Sequence, residues 1–303
     1  MTGATAADRA PVTEAPAADR APWRITLSVL LRNRLAAGGL VVLLLVLVAA
    51  VFGGTLAPHS PTATDILGRL QPPSGSHLFG TDELGRDVFS RTLVAARVSL
   101  RVGVIAVGIS LALGVTVGLL AGYYGRWIDD VLMRVMDMLF AFPAILLAIA
   151  ILAVLGPGVT NAMLAIGIVY TPLFARVTRA AVLSVREEVY IRATRSLGAG
   201  DARIIVRHVL PNVAGPIIVQ ASLSLAFAIL SEAALSFLGL GVQPPAPSWG
   251  RMLYDARGFV AQAWWMGLFP GLAIFLTVLS FNVVGDGLRD ALDPRHRTAA
   301  DAR

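Results

Sequence analysis

The chain contains no cysteine and no lysine. Without cysteine there is no disulfide, no thiolate nucleophile and no cysteine-based metal centre. Without lysine there is no Walker A loop, which needs a lysine reaching the β- and γ-phosphates, so any ATP must be bound by another chain. Charge of every kind is scarce. Asp, Glu, Lys and Arg make up 15% of 303 residues against 56% hydrophobic, with a mean hydropathy of +0.73. That balance excludes an ordinary soluble domain and points to one polytopic, all-α membrane domain with modest loops. The net charge of +6 is carried by arginine. The arginines flank apolar runs and no nucleic-acid recognition module accompanies them, so no nucleic acid is expected as a partner. The four histidines, His59, His77, His208 and His296, all fall outside the apolar runs. Ser224, Ser231 and Ser236 therefore have no histidine for hydrolytic chemistry, and no catalytic residue is expected. His59 and His77 share one polar stretch, but two imidazoles with no close third ligand make a poor nickel site, and no metal is expected. His208 reads as a helix-end residue.

What is present is a succession of long apolar runs. Residues 1–22 are Ala-, Pro- and Thr-rich without periodicity and read as a disordered cytoplasmic tail. The membrane domain then occupies 23–303. Trp23, Arg24, Arg32 and Arg34 form a basic lead-in to a first span, Leu35 to Ala57, and place the N-terminus inside. Residues 58–97 form an outer loop in which Asp82 to Arg97 reads as a short surface helix, with Asp87 and Arg91 as an exposed ion pair. A second span covers Ser99 to Gly122, where Gly114, Gly118 and Gly122 put three small residues on one face for close helix packing. Tyr123 to Phe142 reads as an amphipathic helix at the inner surface, leading to a short third span, Pro143 to Leu155. Gly156-Pro157-Gly158 makes an outer turn. The fourth span, Asn161 to Leu183, carries Pro172, which should kink it.

The fifth span runs from about Val213 to Leu240. It is followed by an outer loop, 241–263, in which Trp249 is placed for the membrane interface. Trp264 and Trp265 open the sixth span as an aromatic belt. Arginine distribution sets the sidedness: seven lie in 171–212 and two in 241–263. The positive-inside rule then gives six spans with both termini cytoplasmic.

Between the fourth and fifth runs lies the most densely basic stretch, 186–212, reading REEVYIRATRSLGAGDARIIVRHVLPN. Five arginines keep it out of hydrocarbon. Tyr190, Ile191, Ala193 and Leu197 form an apolar face on a first helix, on which Arg192 and Arg195 share one side. Gly198-Ala199-Gly200 lets the chain turn, and Asp201 is placed to cap a second helix that Pro211 ends or restarts. On physical grounds alone this is either a basic loop orienting the spans or a helical hairpin built to be gripped.

Gly198 followed by Leu210-Pro211 resembles the cytoplasmic coupling loop of the permease subunits of bacterial ABC importers, the binding-protein-dependent inner-membrane components. The family pattern opens Glu-Ala-Ala where this chain has Arg192-Ala193-Thr194. The form of the stretch is similar to the C-type permease of the dipeptide, oligopeptide and nickel branch. Phe79-Gly80-Thr81-Asp82-Glu83-Leu84-Gly85-Arg86-Asp87, Leu235-Ser236-Phe237-Leu238-Gly239-Leu240-Gly241, Pro244-Pro245, Pro247-Ser248-Trp249-Gly250 and Gly285-Asp286-Gly287-Leu288-Arg289 extend the likeness. The resemblance implies the type I importer permease fold in the bacterial inner membrane, in a non-catalytic chain. It further implies Tyr190, Arg192, Arg195, Leu197, Gly198, Asp201, Leu210 and Pro211 as the ATPase-coupling residues. The implied partners are a homologous second permease, two ATPase domains carrying ATP and Mg, an extracytoplasmic substrate-binding protein and membrane lipid. The cargo implied is dipeptides or oligopeptides, with nickel or another small solute as the rival.

Glu232 stands apart as an acidic residue deep in an apolar run. It is fifteen residues above Ile217, roughly 22 Å along a helix. Such a residue either lines a translocation path or makes a structural hydrogen bond, with Ser231 or Ser236 helping. A proton-coupled secondary transporter would need several such carboxylates and usually internal repeats, and neither is evident.

Overall fold

A computed structural model describes residues 33–292. The tail expected at 1–22, the basic lead-in before Asn33 and the inside placement of Arg295 lie outside the described residues. Helix α1, Arg34–Leu56, is capped by Asn33, whose side chain accepts from the Leu35 and Ala36 N–H groups. Helix α2, Val88–Tyr124, is 37 residues long. α3, Arg126–Phe140, and α4, Ala144–Leu155, are followed by α5, Val159–Val185. The short α6, Val189–Ser196, leads into α7, Asp201–Phe237. α8, Trp249–Ala256, and α9, Trp265–Leu292, complete the described chain.

Five of these helices, α1, α2, α5, α7 and α9, are long and apolar enough to cross a membrane. The sixth expected span is the pair α3 and α4, bent by 91° at the break between them. Pro143 explains the break: it denies a backbone donor and pushes Phe142 away from helical angles. α4 alone has 12 residues, about 18 Å, short of a hydrocarbon core of about 30 Å.

The most extensive helix contact is between α2 and α5. A β-carbon on Gly114 would stand 2.5 Å from the Phe174 side chain, one on Gly118 2.6 Å from the Ala175 carbonyl, and one on Gly122 2.8 Å from Val182. The glycine face is thus the seam on which α5 lies. Pro172 sits inside α5 without ending it.

Three sequence expectations change. The outer surface helix and the second span are one helix, because Asp87 caps Val88 and nothing interrupts the chain to Tyr124. Trp249 is not interfacial: it is 2% exposed and its indole N–H donates to the Thr92 carbonyl at 3.0 Å. Of the two tryptophans in the aromatic belt, Trp264 is exposed, while Trp265 is buried with its N–H on the Thr81 carbonyl. An indole with a backbone acceptor available is better buried than left at an interface.

The two ends of the bundle differ. At one end, residues 58–87 and 241–263 pack over the helix termini, and the Gly156–Gly158 turn joins them through Gly158 N–H to Leu240 O. At the other, Arg186 reaches the Gly122 carbonyl and Tyr123 meets Asp201 at the root of the basic hairpin. The loops that the sequence assigned to one face do share an end.

Candidate functional site

The basic hairpin is built from ordinary helix-end chemistry. α5 finishes at Val185, and the Arg186 guanidinium donates from Nη1 to the Gly122 carbonyl at 2.8 Å, satisfying an orphan acceptor at the end of α2. Gly198 takes φ +82° just after α6. Its N–H donates to the Arg195 carbonyl while the Ala199 N–H reaches the Thr194 carbonyl. This paired closure is a Schellman motif with glycine at the left-handed position. A β-carbon at Gly198 would meet nothing within 4 Å, so the turn projects into open space.

The faces sort differently from the sequence reading. Only Ile191 turns inward, fully buried with Ile204, Val209 and Val213. Tyr190 is 41% exposed and Leu197 88% exposed, an unusual state for a leucine held in an ordered turn. Arg192 is exposed, whereas Arg195 lies over the Tyr123 ring with its guanidinium carbon 5.3 Å from the centroid. Asp201 is not a cap. Gly200 occupies that position, and the Asp201 carboxylate accepts from the Tyr123 hydroxyl at 2.7 Å. Pro211 falls in the first turn where regular α-helix resumes at Leu210, without breaking the rod. The ladder widens into a π turn at Ile205–Val209, with Leu210 N–H bonding Ile205 O, and continues to Phe237. Asn212 Nδ2 donates to the His208 carbonyl at 2.6 Å, helping the backbone past the proline.

Two further ties hold the hairpin end. Arg179 grips Asp129 with two bonds of 2.5 Å, and Arg176 meets Asp137 at 2.7 Å while lying over Phe140. They pin the polar face of α3 to α5. Tyr123 carried no mark in the sequence, because its partner lies 78 residues away.

Glu232 is 1% exposed. Its carboxylate accepts from Ser236 Oγ at 2.7 Å and from Ser99 Oγ on α2 at 3.3 Å. Ser236 Oγ in turn accepts from Val242 N–H, so the acid links α2, α7 and the loop after it. Ser231 pairs with Tyr170 instead, and Ser224 with Gln220. No serine of this set meets a histidine among the described residues.

The opposite end carries a buried charge cluster. Arg91, read from sequence as half of an exposed pair with Asp87, is 2% exposed and faces Asp82 at 3.4 Å and Asp255 at 3.9 Å. Asp87, also buried, accepts from Ser90 at the start of α2. Asp82 accepts from Arg86 Nε at 2.6 Å and from the Leu84 and Arg86 N–H groups. The motif Phe79 to Asp87 is therefore a folded buckle in which Arg86 pairs with Asp82 and Glu83. Burial pushes the Asp255 carboxyl above its ordinary value despite Arg251, Arg91 and Arg86, and burial beside Asp82 does the same to Glu83. The structure also alters the reading of His59 and His77, bringing the Asp87 carboxylate to both.

Five long apolar helices, a bent helix pair and a basic hairpin at one end of the bundle define a polytopic membrane chain. The comparisons give its family. Residues 114–298 match the model of the binding-protein-dependent transport system inner membrane component, and residues 21–73 that of the N-terminal membrane domain of oligopeptide transport permease C. The chain belongs to this family of ABC importer permease subunits. It is 51% identical over 277 residues to the dipeptide transport system permease protein DppC of Alkalihalophilus pseudofirmus, covering 91% of each chain. It is 49% identical to the di/tripeptide transport system permease protein DppC of Pseudomonas aeruginosa, over 88% of this chain and 90% of that one. The glutathione transport system permease protein GsiD of Escherichia coli is 47% identical, with 91% of each covered. Inward-facing structures of the MetNI methionine ABC transporter share the fold, one with a TM-score of 0.55 at 17% identity, covering 67% of this chain and 96% of that one.

Proposed function

We propose that this permease moves dipeptides or oligopeptides inward by alternating access, paired with a homologous permease and fed by an extracytoplasmic binding protein. The cargo reading rests on relatives near 50% identity whose names specify dipeptides, di- or tripeptides and glutathione. The observation that carries the mechanism is the exposed turn at Leu197 and Gly198, held by Tyr123 and Arg186 to the end of α2. In this reading Tyr190, Arg192, Leu197 and Gly198 seat in an ATPase subunit that holds ATP and Mg. Arg195, Asp201, Leu210 and Pro211 carry its movement into α2 and α7. The hairpin end then faces the cytoplasm, as do both termini, in accord with the arginine bias. The hydrogen bonds of Glu232 support a bracing role over contact with cargo.

The test is uptake of a labelled dipeptide into vesicles bearing the full complex, with the ATPase intact or inactivated. Dipeptide uptake lost on inactivation is expected. Uptake that persists on a proton gradient alone would favour a secondary transporter. Nickel uptake without peptide uptake would favour the small-solute rival.

A further inference from the structure

The loop end holds a second constellation, separate from the hairpin. His77 Nδ1 stands 2.9 Å from Asp87 Oδ1, and His59 Nδ1 stands 3.8 Å from Asp87 Oδ2. One donor atom from each of the three residues falls within 4.8 Å of the others, and the two imidazole rings are 4.7 Å apart, tilted by 34°. The backbone holds each member in place. Ser90 Oγ donates to Asp87 Oδ2 at 2.7 Å and accepts the His59 N–H at 3.1 Å. The His77 N–H donates to Ser74 Oγ, while the His77 carbonyl accepts from the Ser74 and Gly80 N–H groups.

Charge balance gives an independent argument. The Asp87 side chain is 1% exposed, yet among the described residues its ion-pair partners are the two histidines and no arginine. Asp82 and Asp255, in the adjoining cluster, are each met by arginines. A buried carboxylate is costly unless a cation or sufficient hydrogen bonding offsets its charge. Neutral imidazoles and the Ser90 N–H and Oγ supply hydrogen bonds, but none of them carries a full positive charge.

We propose that His59, His77 and Asp87 form a binding site for a divalent transition-metal ion. Two imidazole nitrogens and one carboxylate oxygen suit Zn²⁺, Ni²⁺, Cu²⁺ or Co²⁺, and offer too few oxygens for Ca²⁺ or Mg²⁺. With metal–ligand bonds of about 2.0–2.2 Å, ligands of one tetrahedral ion stand roughly 3.3 Å apart, so the His77–Asp87 pair opens slightly from 2.9 Å and His59 closes in from 3.8 Å. His59, with 43% of its side chain exposed, is the member free to rotate and the side from which an ion enters. Binding replaces the His77–Asp87 hydrogen bond: the neutral imidazole changes tautomer, its Nδ1 proton leaving to solvent while Nε2 takes one up, so that Nδ1 is free to ligate. The bound ion joins residues 59 and 77 to the first turn of α2, and its fourth position stays open to water. The proposal stands apart from the transport reading, because it concerns binding to this chain alone.

The experiment is calorimetric titration of ZnCl₂ and NiCl₂ into the full chain, purified in detergent after EDTA treatment and without a histidine tag. MgCl₂ is titrated in parallel. One equivalent of zinc or nickel per chain is expected, with no magnesium heat. His59→Ala, His77→Ala and Asp87→Asn should each weaken binding by about tenfold or more, and His208→Ala should leave it unchanged. Asn caps a helix about as well as Asp, so Asp87→Asn separates metal loss from misfolding. Absence of zinc and nickel binding in the wild type would overturn the proposal, as would stoichiometric binding that survives the His59 and His77 substitutions.

Discussion

The hydroxyl of Tyr123, in the last turn of α2, donates a 2.7 Å hydrogen bond to Asp201, the first residue of α7. Arg195 covers the same ring from α6. One aromatic side chain thus ties three helices at the root of the hairpin. Tyr123→Phe keeps the ring and the cation contact but removes the bond to a charged acceptor, worth about 1.5–3 kcal/mol. The expected result is normal membrane insertion with less substrate moved per ATP hydrolysed, measured in vesicles bearing the complex. An unchanged ratio would leave the tie without a transmitting role.

Gly198 is the second point of test. A β-branched residue at φ +82° carries a backbone cost of about 1–3 kcal/mol, while its side chain meets no steric obstacle within the chain. Gly198→Val should leave the spans inserted while lowering the number of ATPase subunits retained per permease, or separating ATP turnover from uptake. Gly198→Asn, which tolerates left-handed angles, should retain most of the coupling. Full retention of coupled transport by the valine variant would sink the hairpin assignment.

Glu232 separates bracing from cargo contact by two substitutions. Glu232→Gln keeps an acceptor oxygen for one of Ser236 and Ser99 and turns an NH2 donor to the other hydroxyl, so assembly and peptide preference should stay near wild type. Glu232→Ala leaves buried hydroxyls short of a partner at a cost of about 1–3 kcal/mol, lowering the yield of assembled complex. A changed peptide profile with normal yield in the Gln variant would favour contact with cargo.

The buried outer cluster makes a prediction about pH. Burial raises Asp255 above its ordinary 3.8, so its protonation favours the folded state. That contribution is fully present below the unfolded value and is lost as pH rises through the folded one. Arg251, Arg91, Arg86 and Asp82 face the carboxyl. The melting temperature of Asp255→Asn relative to wild type should therefore increase as pH rises from about 4 to neutrality. Asp82→Asn loses a 2.6 Å pairing with Arg86, and should be the more damaging substitution at neutral pH. Parallel thermal unfolding of both variants across this range checks the sign, and a falling Asp255→Asn difference would contradict it.

Much of the architecture was legible locally. Apolar length marked the spans, Pro143 marked the break, and the Gly114, Gly118 and Gly122 spacing marked the seam. Gly198 marked a turn because only certain residues accept left-handed angles cheaply. The misreadings share one cause. Asp87 with Arg91, and Asp201 as a cap, were nearest-neighbour inferences, and each residue found a more distant partner. Trp249 and Trp265 were assigned by residue type, which is silent about the carbonyls of Thr92 and Thr81 that receive their N–H groups.

The sequence by itself determined that this is a multi-span membrane chain with no phosphate-binding loop and a basic hairpin ending in a glycine turn. Hydropathy, missing residue types and backbone preference are properties of short stretches, and they survive without a partner. Tertiary structure alone decided that Tyr123 would hold Asp201, that Arg91 would be buried between Asp82 and Asp255, and that His59, His77 and Asp87 would share one corner. The physical reason is that a charge or hydrogen bond acts only over a few ångströms. Which residues come that close is set by how the helices pack, and hydropathy along the chain does not record it.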